Sequence, residues 1–490
     1  MSAQLVTRRW RGLAAVAAII GTVFAAHAGE QAEQALAAIK RLQASGEIGP
    51  GTALHLTVKQ GNIAAFLGRD FELQREWEKR TGIPIDAKLM PQLDSQEFIE
   101  HAKDVDLTIA RNHEYPDLYQ RQLIEDLTPL MRRFGFALPS DATAGYLLAR
   151  QQAFLGERVV AIPADGDIPL LYLRRDLLED PANRARYRER FGRELAVPQT
   201  WAEYQNQIAF FHRPEEGFYG ALEQRERNTA WMFWMQRYAC FAAEPLLFDR
   251  RMRPLLNSPA AVAATESYLA TLPYSPPGIL DEGADYSFTL PLFMAGKGYA
   301  TIITPAGAKL FSLDSTAVKN RFVSVALPGH LRNGRLQRHS MLIYGNNLVI
   351  PRSSAHKALA FLYAIWLTDP EVSARSVGVP GGFADPYRYN HLRDERIRRV
   401  YTPQALDLVE RELPFIIPSG TGLPGNSEYL AALNNNLWLA AQGKQSAREA
   451  MARTARAWEE IITRYGREQQ IRHWKAFRSL FPQDVSAPAR

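Results

Sequence analysis

The stretch VVAIPADGDIPLLYLRRDLLED, Val159 to Asp180, opens as an apolar β-type run and closes on a charged, helix-forming one. Between them lies Ala164-Asp165-Gly166-Asp167. The spacing predicts a strand up to Pro163 and a helix that starts just after the second aspartate. Ile168-Pro169 suits a first helical turn, because proline lacks the N–H that is unused there. In that arrangement Asp167 caps the helix. Asp165, nearer the end of the strand, is left to face a ligand. Two carboxylates around a glycine could also hold a metal or work as an acid/base pair.

Composition narrows those choices. The chain has 490 residues, 46% hydrophobic and 22% charged, an ordinary globular balance whose length favours two or more domains. Its net charge of +6 is spread without a long basic block, which speaks against a nucleic-acid partner. A single cysteine, Cys240, excludes an internal disulfide and a cysteine-based zinc site. It sits in the apolar run WMFWMQRYACF, where a buried structural thiol is expected. The ten histidines include no His-Glu-x-x-His, there is no Gly-x-Ser-x-Gly, and TGLPGN lacks the Gly-Lys-Ser/Thr of a phosphate loop. No metal and no cofactor are expected. A glycosidase pair at Asp165 and Asp167 stays open, since the required carboxyl separation of ~5–10 Å is not written in sequence.

At the N-terminus Arg8, Arg9 and Arg11 precede an apolar run from Gly12 to Ala26, followed by Ala26-His27-Ala28. This is the order of a secretory leader with a small-x-small cleavage site. It predicts residues 1–28 as a leader of the Sec rather than the twin-arginine type, a mature chain beginning near Gly29, and a periplasmic location.

Beyond it the chain alternates. Residues 29–49 read as a helical segment. ALHLTVKQGN reads as a strand, the run closing at Gly82 as an amphipathic helix, and IPIDAKLM as a strand. In VPQTWAEYQ, Thr200 and Glu203 have the spacing of a capping box. Strands alternating with helices predict an α/β fold with largely parallel sheets.

The order of segments resembles the bacterial extracellular solute-binding proteins of ABC importers, in the group that takes sugars and polyols. The pieces that carry the likeness are FELQREWEKRTGIPID, DVDLTIA, LIEDLTPL, RVVAIPADGDIPLLYLRRDLL, PQTWAEY, LFMAGKGYATIITPAG, VSVALPG, NNLVIPRSSAHKALAFLYAIWLTDPE and LNNNLWLAAQGKQSAREAM, covering roughly residues 50 to 465. The chain departs at CFAAEPLLFD, where the family often carries paired glycines, and RYRERFGRELA looks like an insertion.

The resemblance implies a two-lobed fold of the type II periplasmic binding proteins, each lobe a mostly parallel sheet flanked by helices, with the ligand cleft between. Mapped onto this chain, lobe 1 takes 50–160 and 325–370, lobe 2 takes 162–322 and 371–475, and 476–490 is a tail. The chain would cross between lobes near Val159–Pro163, Val323–Leu327 and after Pro370. It implies no enzymatic activity, a neutral sugar, polyol or short oligosaccharide as ligand, a transient permease partner, and a monomer. A carbohydrate-active hydrolase or lyase, or a binding protein serving a sensor, is the alternative.

Open α/β sheets bind ligands beyond the carboxyl ends of their strands. The expected contacts are therefore Gln60, Asn62, Arg111, Asn112, His113, Glu114, Asp165, Asp167, Pro305, Gly307, Tyr344, Gly345 and Asn346. Asp385, Tyr387 and Arg388 come from the turn-rich GGFADPYRYNHLRD, and Trp231 and Trp234 from the tryptophan-rich helix. Carboxylates accept from hydroxyls, Arg and Asn donate, and aromatic faces cover the C–H faces of sugar rings. Each has a plainer alternative: Asp165 and Asp167 as caps, one of the tryptophans as core, His113 and Glu114 as a solvated loop pair, Asp385-Pro386 as a turn starter.

Overall fold

The computed structural model describes residues 29–89, 98–100, 103–482 and 486–487, with the side chains of Gln60, Ser486 and Ala487 excepted. The expected leader, residues 1–28, lies outside the described residues. Among the described residues no helix is long and apolar enough to cross a membrane.

Nine strands form two sheets. In the first, β1 (Leu54–Val58) pairs in parallel with β2 (Ile85–Leu89), and a parallel bridge from Leu56 to Leu107 joins β1 to β3 (Thr108–Arg111). The second comprises β5 (Leu170–Arg174), β6 (Tyr219–Leu222), β7 (Gly298–Ile303) and β8 (Phe322–Val325), in the order β8-β5-β7-β6. Two further strands complete the first sheet: β4 (Ile162–Pro163) and β9 (Asn346–Val349), with β9 antiparallel to both β3 and β4.

Most strands of each sheet run in one direction, as expected, with one strand reversed in each: β9 in the first and β5 in the second. β6 and β7 are parallel, but β5 is antiparallel to β7 and β8 antiparallel to β5. The antiparallel members are strands next to the passages from one sheet to the other. A strand that enters a sheet from the neighbouring lobe need not run with strands linked by local helical crossovers.

Each sheet has its own core. Helix α1 (Glu30–Ala44) is not a separate segment: Ala35, Leu36 and Ile39 join Leu54, Leu56, Trp77 and Trp366 in the first core. Gln31 and Ala32 of that helix donate to the Ile365 carbonyl and to Asp369. The second core is larger and is built on the helix α2 (Ala230–Phe241), of which every residue except Phe241 is buried. Cys240 lies in it, its thiol pushed up to about 11 by burial, which makes it an inert structural thiol.

Local signals act as the sequence suggests. Thr200 Oγ1 accepts from the Glu203 N–H at 3.2 Å and the Glu203 carboxylate accepts from the Thr200 N–H at 3.1 Å, starting the helix Trp201–Phe211. Gly82, at φ +71°, ends the helix Glu72–Thr81.

The decisive stretch behaves differently from its reading. No helix follows Asp167. Residues 164–169 are an irregular connection, Leu170–Arg174 is the central strand β5, and helix begins only at Arg175. The passage between sheets is therefore this connection itself, a few residues after the expected Val159–Pro163.

Candidate ligand-binding site between the lobes

The pairing registers bring the same ends of both sheets together. Arg111 at the end of β3 faces Asn346 at the start of β9, and Pro163 at the end of β4 faces Asn347. In the other sheet, Ile303 at the end of β7 faces Leu170 at the start of β5. The connection 164–169 leaves one of these ends and enters the other. A second passage runs from the end of β8 at Val325 back to Asn346.

The two aspartates tie these passages. Asp167 Oδ2 accepts from the Gly345 N–H at 2.6 Å and the Asn346 N–H at 3.4 Å, while its carbonyl accepts from the Ile343 N–H at 3.2 Å. Asp165 Oδ1 accepts from the Asp385 N–H at 2.8 Å and the Gly166 N–H at 3.0 Å. Gly166 packs so closely on the Pro386 carbonyl that no side chain fits between them. Both carboxylates are 3% exposed. Asp167 is thus a clasp on a distant loop instead of a helix cap, and Asp165 holds a third segment instead of standing open at a cleft floor.

Oxygens of Asp165, Asp167 and Asp385 lie within 4.8 Å of one another, an arrangement with enough carboxylates for a cation. Lys309 already supplies positive charge beside them, its ammonium donating to the Ala384 carbonyl at 2.7 Å and the Val377 carbonyl at 3.1 Å. Burial pushes Asp165 well above the usual carboxylate range, with the neighbouring Asp167 and Asp385 charges adding to it. Burial pushes Asp167 up to about 7, the Asp385 charge adding and the Gly345 and Asn346 N–H groups opposing. It pushes Asp385 up to about 6 against the pull of Lys309, and pushes Lys309 itself down to about 8.

A raised folded-state value means that the folded chain holds a proton which the unfolded chain, with its carboxyl near ~4, has lost. The stability linked to Asp167 is therefore complete below about pH 4 and is lost as pH rises through about 7. Asp167→Asn cannot ionise. Its unfolding free energy in urea, relative to the parent, is expected to rise between pH 4.5 and 7.5; a relative stability that falls over that range would contradict the assignment.

Other expected residues divide. Arg111, Asn112, Tyr344, Gly345 and Asn346 come together. The Arg111 guanidinium lies 5.5 Å from the Tyr344 ring centre, and Asn112 Nδ2 donates to the Gln151 carbonyl. Gly345 takes φ +65°, and a Cβ there would stand 3.2 Å from Asn112 Oδ1. Asn62 is buried in the turn after β1, and the backbone of Gln60 lies in the same turn. His113 meets the edge of Trp231 at 5.0 Å.

Glu114 turns back on its own loop, its carboxylate accepting from the Arg111 N–H at 2.6 Å. Trp234 belongs to the core: its indole donates to Thr265 at 2.8 Å and its ring stacks on Tyr238 at 4.8 Å. Pro305 and Gly307 pack at Tyr172, whose hydroxyl donates to the Pro305 carbonyl. Tyr387 and Arg388 are buried against Tyr146, with the guanidinium 3.7 Å from that ring and donating to the Ala144 carbonyl. Asp385 is fully buried, accepting from the Tyr401 hydroxyl at 2.9 Å.

The structure adds residues that the sequence reading missed. Gln224, two residues past β6, accepts from the Tyr344 hydroxyl at 2.6 Å. Tyr286 lies 6.1 Å from Tyr344 and 5.7 Å from Phe383, and all three rings are half-buried. The position of Gln224 just beyond a strand end was the available signal. Around these rings Arg111 Nε, Asn112 Oδ1, Gln151 Oε1, Gln224 Nε2 and Asn346 Oδ1 are buried without a hydrogen-bond partner among the described residues. Buried polar groups are normally paired, so a set of donors and acceptors left open where two sheets meet is a ready place for a polar ligand.

A family model described as bacterial extracellular solute-binding protein matches residues 73–374. The chain belongs to this family. It is a family of binding proteins and not of enzymes, so the glycosidase reading of Asp165 and Asp167 falls away, and it acts outside the cytoplasm. Among solved structures, the fold is similar to an ABC transporter solute-binding protein of Agrobacterium radiobacter K84 in complex with ribitol. That match has 18% identity and TM-score 0.68, covering 84% of this chain and 99% of that one. It is similar to maltose-bound MalE3 of T. maritima, at 18% identity and TM-score 0.67 over 84% and 100%. The sugar-binding protein MalE of Xanthomonas citri follows at 17% and 0.61 over 84% and 98%. No curated protein sequence matches significantly. In this family member the two-lobed architecture and the junction of strand ends coincide, which makes the open polar set the candidate site.

Proposed function

We propose that this solute-binding protein captures a neutral carbohydrate, a sugar, polyol or short oligosaccharide, between its two lobes and delivers it to the membrane permease of an ABC importer from the periplasm. The observation that carries the reading is the open set at the junction: Arg111, Asn112, Gln151, Gln224 and Asn346 with unused hydrogen-bonding atoms beside the half-buried faces of Tyr344 and Tyr286. Hydroxyls donate and accept at once and suit such a mixed set, and tyrosine faces cover C–H surfaces. The ribitol and maltose complexes of similar structures support the ligand class.

Lobe 1 is assigned the first sheet with helix α1, residues 29–163 and 346–370, and lobe 2 the second sheet, residues 170–325 and 371–475. The expected boundaries at 160/162 and 325 shift because β4 belongs to the first sheet and β8 to the second, and 1–28 is assigned as the leader. Asp167 and Asp165 clasp the connections between them, so closure is a rotation about those clasped segments. The protein works as a monomer. Small-angle scattering is expected to give a smaller radius of gyration at saturating ligand than without it. An unchanged radius with ligand bound would contradict closure.

A further inference from the structure

Away from the junction lies a groove of about 860 Å³. Three short pieces of chain build it: the loop after α2, the hairpin of His330–Arg332 and Arg335–Gln337, and the end of the helix Arg467–Arg478. None of the junction residues lines it. Its volume falls in the range of small-molecule sites, ~300–1,000 Å³.

The lining is of two kinds. Leu246, Trp474 and Phe481 are buried and apolar and form its floor. Arg250, Arg332, Arg335 and Lys475 are exposed around them. Among the described residues no carboxylate lies within ion-pair distance of any of these four. A fifth cation, Arg478, has among the described residues only the exposed Glu244 within ion-pair distance, at 3.8 Å.

Some surface arginines elsewhere are paired, as Arg396 is with Asp394 and Glu371 and Arg375 with Glu76 and Glu72, and others such as Arg453 and Arg456 are not, among the described residues. What sets the groove apart is that its cations are gathered around one apolar floor. Over the whole chain 58 cations face 52 anions, whereas the described lining of the groove sets five against one. His339, also in the lining, adds no charge, because burial pushes it down to about 4.

Like charges gathered around a concave apolar floor repel one another and raise the local potential, and an anion relieves both. Guanidinium forks match phosphate oxygens in pairs. The floor requires that the anion carry an apolar body. A groove of this volume has room for one such molecule. We infer that this groove is a second binding site, one that takes a phosphate group joined to an apolar body. Two sources share that chemistry: a soluble organophosphate and the headgroup of an anionic phospholipid.

The test uses the full mature chain. Hexyl phosphate is titrated by calorimetry against inorganic phosphate, and pelleting is measured with phosphatidylglycerol vesicles against phosphatidylcholine ones. Hexyl phosphate is expected to bind more tightly than inorganic phosphate. The triple variant Arg332→Ala/Arg335→Ala/Lys475→Ala should lose about tenfold or more in affinity, since each removed group is a charged hydrogen-bond donor. Arg453→Ala/Arg456→Ala, which removes two exposed arginines from the helix Ala447–Tyr465 outside the groove, should lose nothing.

Binding of hexyl phosphate alone assigns the soluble source; added pelleting with phosphatidylglycerol, lost in the same triple variant, assigns the membrane. Should the triple variant not fold, Arg332→Gln alone must show a reduced affinity. Failure of both probes to bind, or an equal loss in the Arg453/Arg456 control, overturns the site. Sugar binding at the junction is measured on the same samples and is expected to be unchanged.

Discussion

Replacing Gly166 with alanine is expected to destabilise the protein by about 3 kcal/mol, at the upper end of the ordinary cost of overpacking. A Cβ at this position would stand 1.9 Å from the Pro386 carbonyl oxygen and 2.7 Å from its carbon. Both are backbone atoms, so no side-chain rotation relieves the clash. The segment that must move carries Asp385, whose N–H is held by Asp165 at 2.8 Å, so the clasp between the passages should loosen with it. Gly49→Ala is the control, because a Cβ there meets nothing within 4 Å. Urea unfolding of both variants measures the effect. Equal, small changes at Gly166 and Gly49 would show that the 164–169 connection does not pack as described.

Arg111→Ala is expected to leave the fold intact and weaken ligand binding about tenfold to a hundredfold, the range for hydrogen bonds from a charged group. Arg111 is half-buried at the end of β3, its guanidinium lies against Tyr344, and its Nε is buried without a partner among the described residues. No carboxylate forms an ion pair with it among the described residues, so its removal strands no buried opposite charge at contact distance. Dissociation constants with unfolding curves on the same preparation separate binding from stability. A loss of stability with unchanged affinity would make Arg111 a structural residue.

What could be read in the sequence was what short-range chemistry controls. The capping box of Thr200 and Glu203 closes within three residues, and Gly82 ends its helix through its own φ. The strand end that delivers Arg111 and Asn112 followed from alternation and turn residues; Tyr344 and Asn346 reach the same place from the start of a reversed strand, not from a loop after one. The helix placed after Asp167 failed for a definite reason. Leu170–Arg174 is buried on both faces, and the short apolar run Leu170–Leu173 has the same pattern in a strand as in a buried helix turn.

The roles of the two aspartates were beyond local reading. Asp167 meets Gly345, 178 positions on, and Asp165 meets Asp385, 220 positions on. Trp231 and Trp234 are three residues apart on one helix, yet the first reaches His113 while the second donates to Thr265. Tyr387 and Arg388 looked like cleft residues by composition, but Tyr146 offered them a ring to pack on. Gln224 and Tyr286 carry no signal of their own until Tyr344 lies beside them.

The central claim is that a neutral carbohydrate is held at the junction of the two lobes and is not altered there. Calorimetric titration of the mature protein and of Arg111→Ala with maltose, ribitol, D-mannitol and a panel of amino acids and peptides tests it most directly, with the ligand recovered and analysed afterwards. The account predicts saturable binding of at least one sugar or polyol, weakened in Arg111→Ala, with the ligand returned intact. Binding confined to amino acids or peptides, or a carbohydrate recovered as a product, would contradict it.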